Sequence, residues 1–172
     1  MEKLLKVISC FLFFLLIASC HNQNTGDSKQ TDLFHQITKS DSGLFRKIEL
    51  GMTKSEVKQK ESATPKEEEE DYLYYEFPTD SNNLYSIAYS FDSTGLTEIQ
   101  TDIFVGAEEE ASNMFNRFKA YYEHKYGQSE NETDLLVWTT RSAKYTNIKV
   151  SLNDESADYN SGKLSLSFYP DL

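Results

Sequence analysis

Three histidines, two cysteines and a surplus of carboxylates are the groups in this chain that could support chemistry. His21, His35 and His124 stand far apart, and none belongs to a His-x-x-x-His or Cys-x-x-Cys pattern, so their spacing supplies no zinc site. No nucleophile elbow, phosphate-binding loop or dinucleotide fingerprint occurs. Lys66-Glu67-Glu68-Glu69-Glu70-Asp71 bunches carboxylates, but it lacks the spaced oxygen ligands and turn glycine of a calcium loop. Mutual repulsion predicts an extended, solvated loop there. Asp92-Ser93-Thr94-Gly95 reads as a hairpin turn. Chance pairs of carboxylates are expected in a chain of net charge -11 and carry no weight. The chain is therefore read as having no catalytic residue, no metal site and no cofactor.

Aromatic residues are the better candidates for function. Tyr72 and Tyr74 alternate outward on a strand if Leu73, Tyr75 and Phe77 face a core. Trp138 lies in a later strand and can point either way. Exposed Tyr and Trp supply large contact area at low entropic cost, which suits a partner surface. The structural alternative is that they pack under loops or complete a half-wet sheet face.

The elements that would position these residues follow from periodicity and punctuation. Thr31-Asp32 can cap a short helix bearing Leu33, Phe34 and Ile37, broken at Asp41-Ser42-Gly43. Leu44, Phe45, Ile48 and Leu50 suggest a second short helical or irregular segment. Gly51-Met52-Thr53-Lys54-Ser55-Glu56-Val57 is a capping box, Thr53 with Glu56, flanked by the staple pair Met52 and Val57. It predicts a helix from Lys54 to near Ser62, stopped before Pro65. Alternation predicts strands at Tyr72–Phe77, Leu84–Phe91 and Thr97–Val105. A longer helix is expected from about Ala107 to Tyr126, with Ala111, Met114, Phe115, Phe118 and Tyr122 on one stripe and Gly127 as its stop. Three more strands are expected at Leu135–Thr140, Tyr145–Leu152 and Lys163–Tyr169, with polar loops at 128–133 and 153–162. The order is a helix and three strands, then a helix and three strands. It predicts an α+β domain of two αβββ-like units (about 33–105 and 106–172), helices on one face of a mainly antiparallel sheet.

The N-terminus reads differently. Lys3 and Lys6 precede an uncharged run from Val7 to Ser19, too short to span a bilayer as a helix. Ile17-Ala18-Ser19-Cys20 resembles the lipobox of bacterial lipoprotein signals at all four positions. The resemblance implies that residues 1–19 are a signal peptide and that Cys20 becomes a diacylated, N-acylated terminus carrying palmitate-type chains. More than one acyl chain anchors a protein stably. His21 after the cysteine, rather than Asp, points by the same resemblance to the outer membrane. Residues 20–32 then form a polar tether, and 33–172 the domain. Cys10 falls in the leader and Cys20 in the lipid, so no disulfide is available to the domain. The acidic balance argues against nucleic acid.

The Gly51–Val57 motif in a lipoprotein also resembles the BamE/SmpA-type lipoproteins and the related β-lactamase-inhibitor-protein-like fold. Ala63-Thr64-Pro65 stands where that pattern has Gly-x-Pro, and the second unit lacks the motif. The resemblance implies a non-catalytic domain that binds an envelope protein through a sheet face or loops. Two other readings stay open: binding of a glycan or small ligand on the aromatic face, and a hydrolase with an unrecognised site.

Overall fold

The short helices form where the sequence caps them. In α2 (Lys54–Glu61) the Thr53 Oγ1 accepts the Glu56 N–H at 3.3 Å, and the Thr53 N–H donates to Glu56 Oε2 at 2.8 Å. These are the reciprocal bonds of a capping box, with Val57 fully buried and Met52 packed on the core. In this computed structural model the residues described are 32–61, 63–79, 83–159 and 161–171. Cys20, the leader and most of the tether lie outside them.

Helix α1 (Leu33–Thr38) precedes α2, and Phe34 and Ile37 are its buried anchors. Leu44–Leu50 is not helical. It is a tight turn closed by a Phe45–Ile48 bridge, with Arg46 (φ +54°) and Lys47 (φ +68°) in the left-handed region. Its four apolar residues are all buried.

Strands β1 (Glu67–Glu69), β2 (Tyr72–Pro78), β3 (Leu84–Asp92) and β4 (Gly95–Val105) follow. Helix α3 (Glu108–Tyr126) comes next, then β5 (Glu130–Glu132), β6 (Leu135–Thr140), β7 (Ile148–Asp154), the one-turn helix α4 (Ser156–Tyr159) and β8 (Gly162–Pro170). The strands form one eight-stranded antiparallel sheet in the order β1-β2-β3-β4-β8-β7-β6-β5. The fold is α+β, mostly sheet.

The acidic run is extended and exposed, as expected, but it is a strand rather than a loop. Glu67–Glu69 pairs with β2. Cations relieve the repulsion: Lys58 Nζ donates to Glu68 at 2.6 Å, Lys66 Nζ to Glu76 at 2.6 Å, and Lys54 Nζ to the Glu69 carbonyl at 2.6 Å. The loops expected at 128–133 and 153–162 likewise contain β5 and α4. The strand expected from Tyr145 begins at Ile148, because Ser142 Oγ accepts the N–H groups of Lys144 and Tyr145 and holds a turn.

Register separates two faces, because directly paired residues project to the same side. Leu73, Tyr75, Tyr85, Ile87, Tyr89, Ile99, Ile103, Leu164, Leu166, Phe168, Val150, Leu152 and Trp138 share one face and are buried. Ile37, Val57, Ala111, Met114, Phe118 and Tyr122 from the helices join them in one core.

Candidate functional site

The other face of the sheet carries the candidate residues. One register line crosses all eight strands: Glu67, Tyr74, Ala88, Gln100, Ser167, Ser151, Val137 and Glu130. The neighbouring line runs Glu76, Ser86, Asp102, Ser165 and Asn153. Small side chains on β3, β7 and β8 (Ala88, Ser86, Ser151, Ser167 and Ser165) flank the longer polar Gln100 and Asp102 of β4 in the middle of this face. An antiparallel sheet with one apolar and one polar face gives this alternation.

Tyr72 and Tyr74 stand on this polar face, half-buried, with ring planes 6° apart and centroids 6.5 Å apart. They form the margin on the β2 side. Their neighbours across the sheet, Ser90 and Ala88, are small, so the rings have room on the inward side. Burial and the nearby Glu67 push the Tyr72 hydroxyl above its ordinary value; it stays a neutral donor.

Trp138 does not belong to this face. It is 1% exposed and lies opposite Val150 on the core side, its ring 5.5 Å from that of Tyr122. It is a core residue, and the expectation of a surface contact at Trp138 is corrected by its parity on β6.

A cluster that sequence reading missed occupies another margin. Phe104 faces Lys163 across β4 and β8, on the same side as Asp102. Lys163 Nζ meets Glu155 Oε2 at 2.7 Å, Asp102 Oδ1 at 3.7 Å and the Tyr159 hydroxyl at 3.0 Å. It also lies 4.1 Å from the Tyr159 ring centroid. Burial alone would lower the Lys163 pKa, but the Glu155 and Tyr159 hydrogen bonds and the Asp102 charge raise it. Lys163 is thus a fixed ammonium that props α4 against the sheet. Tyr159, at 50% exposure, is the large hydrophobic side chain that α4 presents to solvent. Phe104 was legible as an outward position between Ile103 and Val105; Tyr159 sits in a stretch too polar to signal an anchor.

A buried polar centre lies on the opposite face. Arg46 donates from Nε and Nη2 to the two Glu61 oxygens at 2.7 Å each, and from Nη1 to the carbonyls of Gln36 and Ile37 at 2.7 and 2.8 Å. The Tyr89 hydroxyl also donates to Glu61. Burial pushes the Glu61 carboxyl up, but the Arg46 bonds and the Tyr89 hydroxyl outweigh it and hold it below the ordinary value. Every charged atom of this centre is engaged, so it braces α1, the 44–50 turn and α2 against β3. The left-handed residues of that turn cost about 1–2 kcal/mol each, which the Arg46 bonds offset.

Asp92 confirms its role as a turn residue: Oδ1 accepts from the Thr94 N–H and hydroxyl, both at 2.7 Å. Gly95 (φ +115°) is needed because a Cβ there would meet the Gly51 carbonyl oxygen at 2.5 Å. Backbone bonds Gly51 N–H to Leu96 O (2.6 Å) and Leu96 N–H to Met52 O (2.8 Å) tie the Gly51-Met52 segment to this hairpin. Lys144 then reaches across to the Thr94 carbonyl.

Among the described residues no group of three or more His, Cys, Asp or Glu side chains could hold a metal ion. No described helix is long and apolar enough to cross a membrane. No family model, curated protein or solved structure matches this chain.

Proposed function

We propose that this chain is a lipid-anchored, non-catalytic binding module of the bacterial cell envelope, held to the outer membrane through Cys20, and that it engages an envelope protein with the polar face of its sheet. The observation that carries this reading is the unbroken register line from Glu67 to Glu130, which crosses Ala88, Gln100, Ser167 and Ser151 and is edged by Tyr72, Tyr74, Phe104 and Tyr159. Small and polar side chains give hydrogen-bonding groups across the face, and rings at its margins supply the anchors that interfaces favour. Part of the element order supports reading the domain as two units: each has a helix ahead of a run of strands that ends beside the other's last strand, β4 against β8. We read these as two αβββ-like units of about 33–105 and 106–172, each with a short strand added ahead of its triplet, and with helices on one face.

Two experiments test the reading. Labelling with an alkyne analogue of palmitate should mark the chain and be lost in Cys20→Ser. A C-terminally tagged chain, crosslinked in its native host, should recover one envelope protein at stoichiometric yield, and Tyr72→Ala with Tyr74→Ala should remove it. Retention of labelling in Cys20→Ser would sink the anchor; recovery unchanged by the tyrosine substitutions would sink the surface.

A further inference from the structure

A groove of about 380 Å³ lies between the last turn of α3 and the loop joining β6 to β7. That volume is within the range of small-ligand sites. Lys125, Tyr126, Thr140, Arg141, Thr146 and Asn147 line it, and no Asp or Glu does. In a chain of net charge -11 this is a local reversal of sign. The wall is polar, which disfavours a lipid or hydrocarbon ligand and suits a hydrophilic one.

The groove has a fixed side and a free arm. Lys125 Nζ donates to the Gly43 carbonyl at 2.8 Å and the Leu44 carbonyl at 3.3 Å, and the Tyr126 hydroxyl donates to Leu44 O at 3.3 Å. The Asn147 carbonyl accepts the Asp171 N–H at 3.2 Å. These bonds hold the groove's framework. Asp41 and Glu49 lie close enough to Lys125 to offset part of its charge, which leaves Arg141 as the cation that faces a ligand. Arg141 is exposed, and no acceptor among the described residues engages it. A guanidinium forks onto carboxylate or phosphate oxygens with two parallel hydrogen bonds, a geometry that an ammonium does not reproduce. We propose that this groove binds a small hydrophilic ligand through a carboxylate or phosphate group, with Arg141 as the anion clamp and Thr140, Thr146 and Asn147 hydrogen-bonding the rest of the molecule. The ligand class includes acidic sugars and sugar phosphates. This site uses none of the aromatic residues of the polar sheet face and stands independently of it.

The test is an amide chemical-shift titration of the full chain, ¹⁵N-labelled and purified in nonionic detergent. Inorganic phosphate and glucuronate are the probes, at constant ionic strength. Saturable shifts centred on residues 139–147, with Kd on the order of 1 mM, are expected for at least one probe, and the probe that saturates assigns the anionic group. Arg141→Ala should weaken that binding at least tenfold, and Arg141→Lys by less. Arg141 is exposed and unbonded, so the spectrum of the free variant should match the parent away from the loop. Shifts that stay linear and spread over the surface with both probes would overturn the proposal, as would an unchanged Kd in Arg141→Ala.

Discussion

The two ends of the sheet are braced by different physics. At the β2–β3 end, α1, the 44–50 turn and α2 are held by a charge pair: Arg46 forked onto Glu61, with Tyr89 as third partner. At the β6–β8 end, α3 is held by rings, with Tyr122 set 5.5 Å from Trp138 and 6.0 Å from Phe168. The polar brace is directional. It satisfies the carbonyls of Gln36 and Ile37 near the end of α1, but it fails sharply if one member is removed. The ring cluster follows buried area, even though the Trp138 Nε1–H is buried without a hydrogen-bond partner among the described residues. Two short helices and an irregular turn at one end, and the 19-residue α3 at the other, suit these two devices.

The largest loss is expected on the polar side. Glu61→Ala leaves the Arg46 charge buried without its partner and should cost about 3–5 kcal/mol, read by urea unfolding. Arg46→Met with Glu61→Leu removes the unpaired charge but leaves the Gln36 and Ile37 carbonyls and the Tyr89 hydroxyl without their partners, so it should recover only part of that loss. If the double variant is as unstable as the single one, the pair is doing more than cancelling its own burial.

Trp138→Phe trims the ring cluster without leaving a charge, and should cost about 2 kcal/mol in the same assay. Its effect should be unchanged between pH 7 and pH 4. Glu61 should behave otherwise. Its folded pKa lies below the ordinary 4.5, so its contribution is present above the unfolded value and is lost as pH falls through the folded one. The stability difference between the parent and Glu61→Gln should therefore shrink below about pH 4. A difference that stays constant down to pH 2 would falsify the assignment of Glu61 as an ionised partner.

Thr53→Ala removes the cap of α2 and should cost about 1 kcal/mol. It sharpens the comparison because the loss is confined to the polar end. The smallest stability effects, within about 0.5 kcal/mol, are expected for Tyr72→Ala and Tyr74→Ala. Partner recovery is the measurement in which these substitutions should be largest.

Legibility in the sequence followed the range of the interaction. The capping box at Thr53 and Glu56, the stripe from Ala111 to Tyr122 and the alternation from Tyr72 to Phe77 were readable, because each rests on contacts within a turn or a pleat. The outward setting of Tyr72 and Tyr74 followed directly from that alternation. Trp138 was not readable for a specific reason: Leu135, Leu136, Val137 and Trp138 are all apolar, so the strand has no polar alternate to mark its outer face. The pairing of the acidic run was not readable because the lysines that neutralise it, Lys54 and Lys58, lie on α2, a separate element.

Local pattern thus marked three of the four described helices, six of the eight described strands and the α+β class. Each of these is set by backbone geometry and the spacing of apolar residues along a few turns or pleats. The tertiary structure decided that Arg46 meets Glu61 and Tyr89, that Lys144 reaches Thr94, that β4 lies beside β8, and that Tyr159 joins Phe104 at the edge of the polar face. Those pairings join residues distant in the chain. Closing the intervening segments costs entropy that only cooperative packing of the whole core repays, and no local pattern of residues records which closure wins.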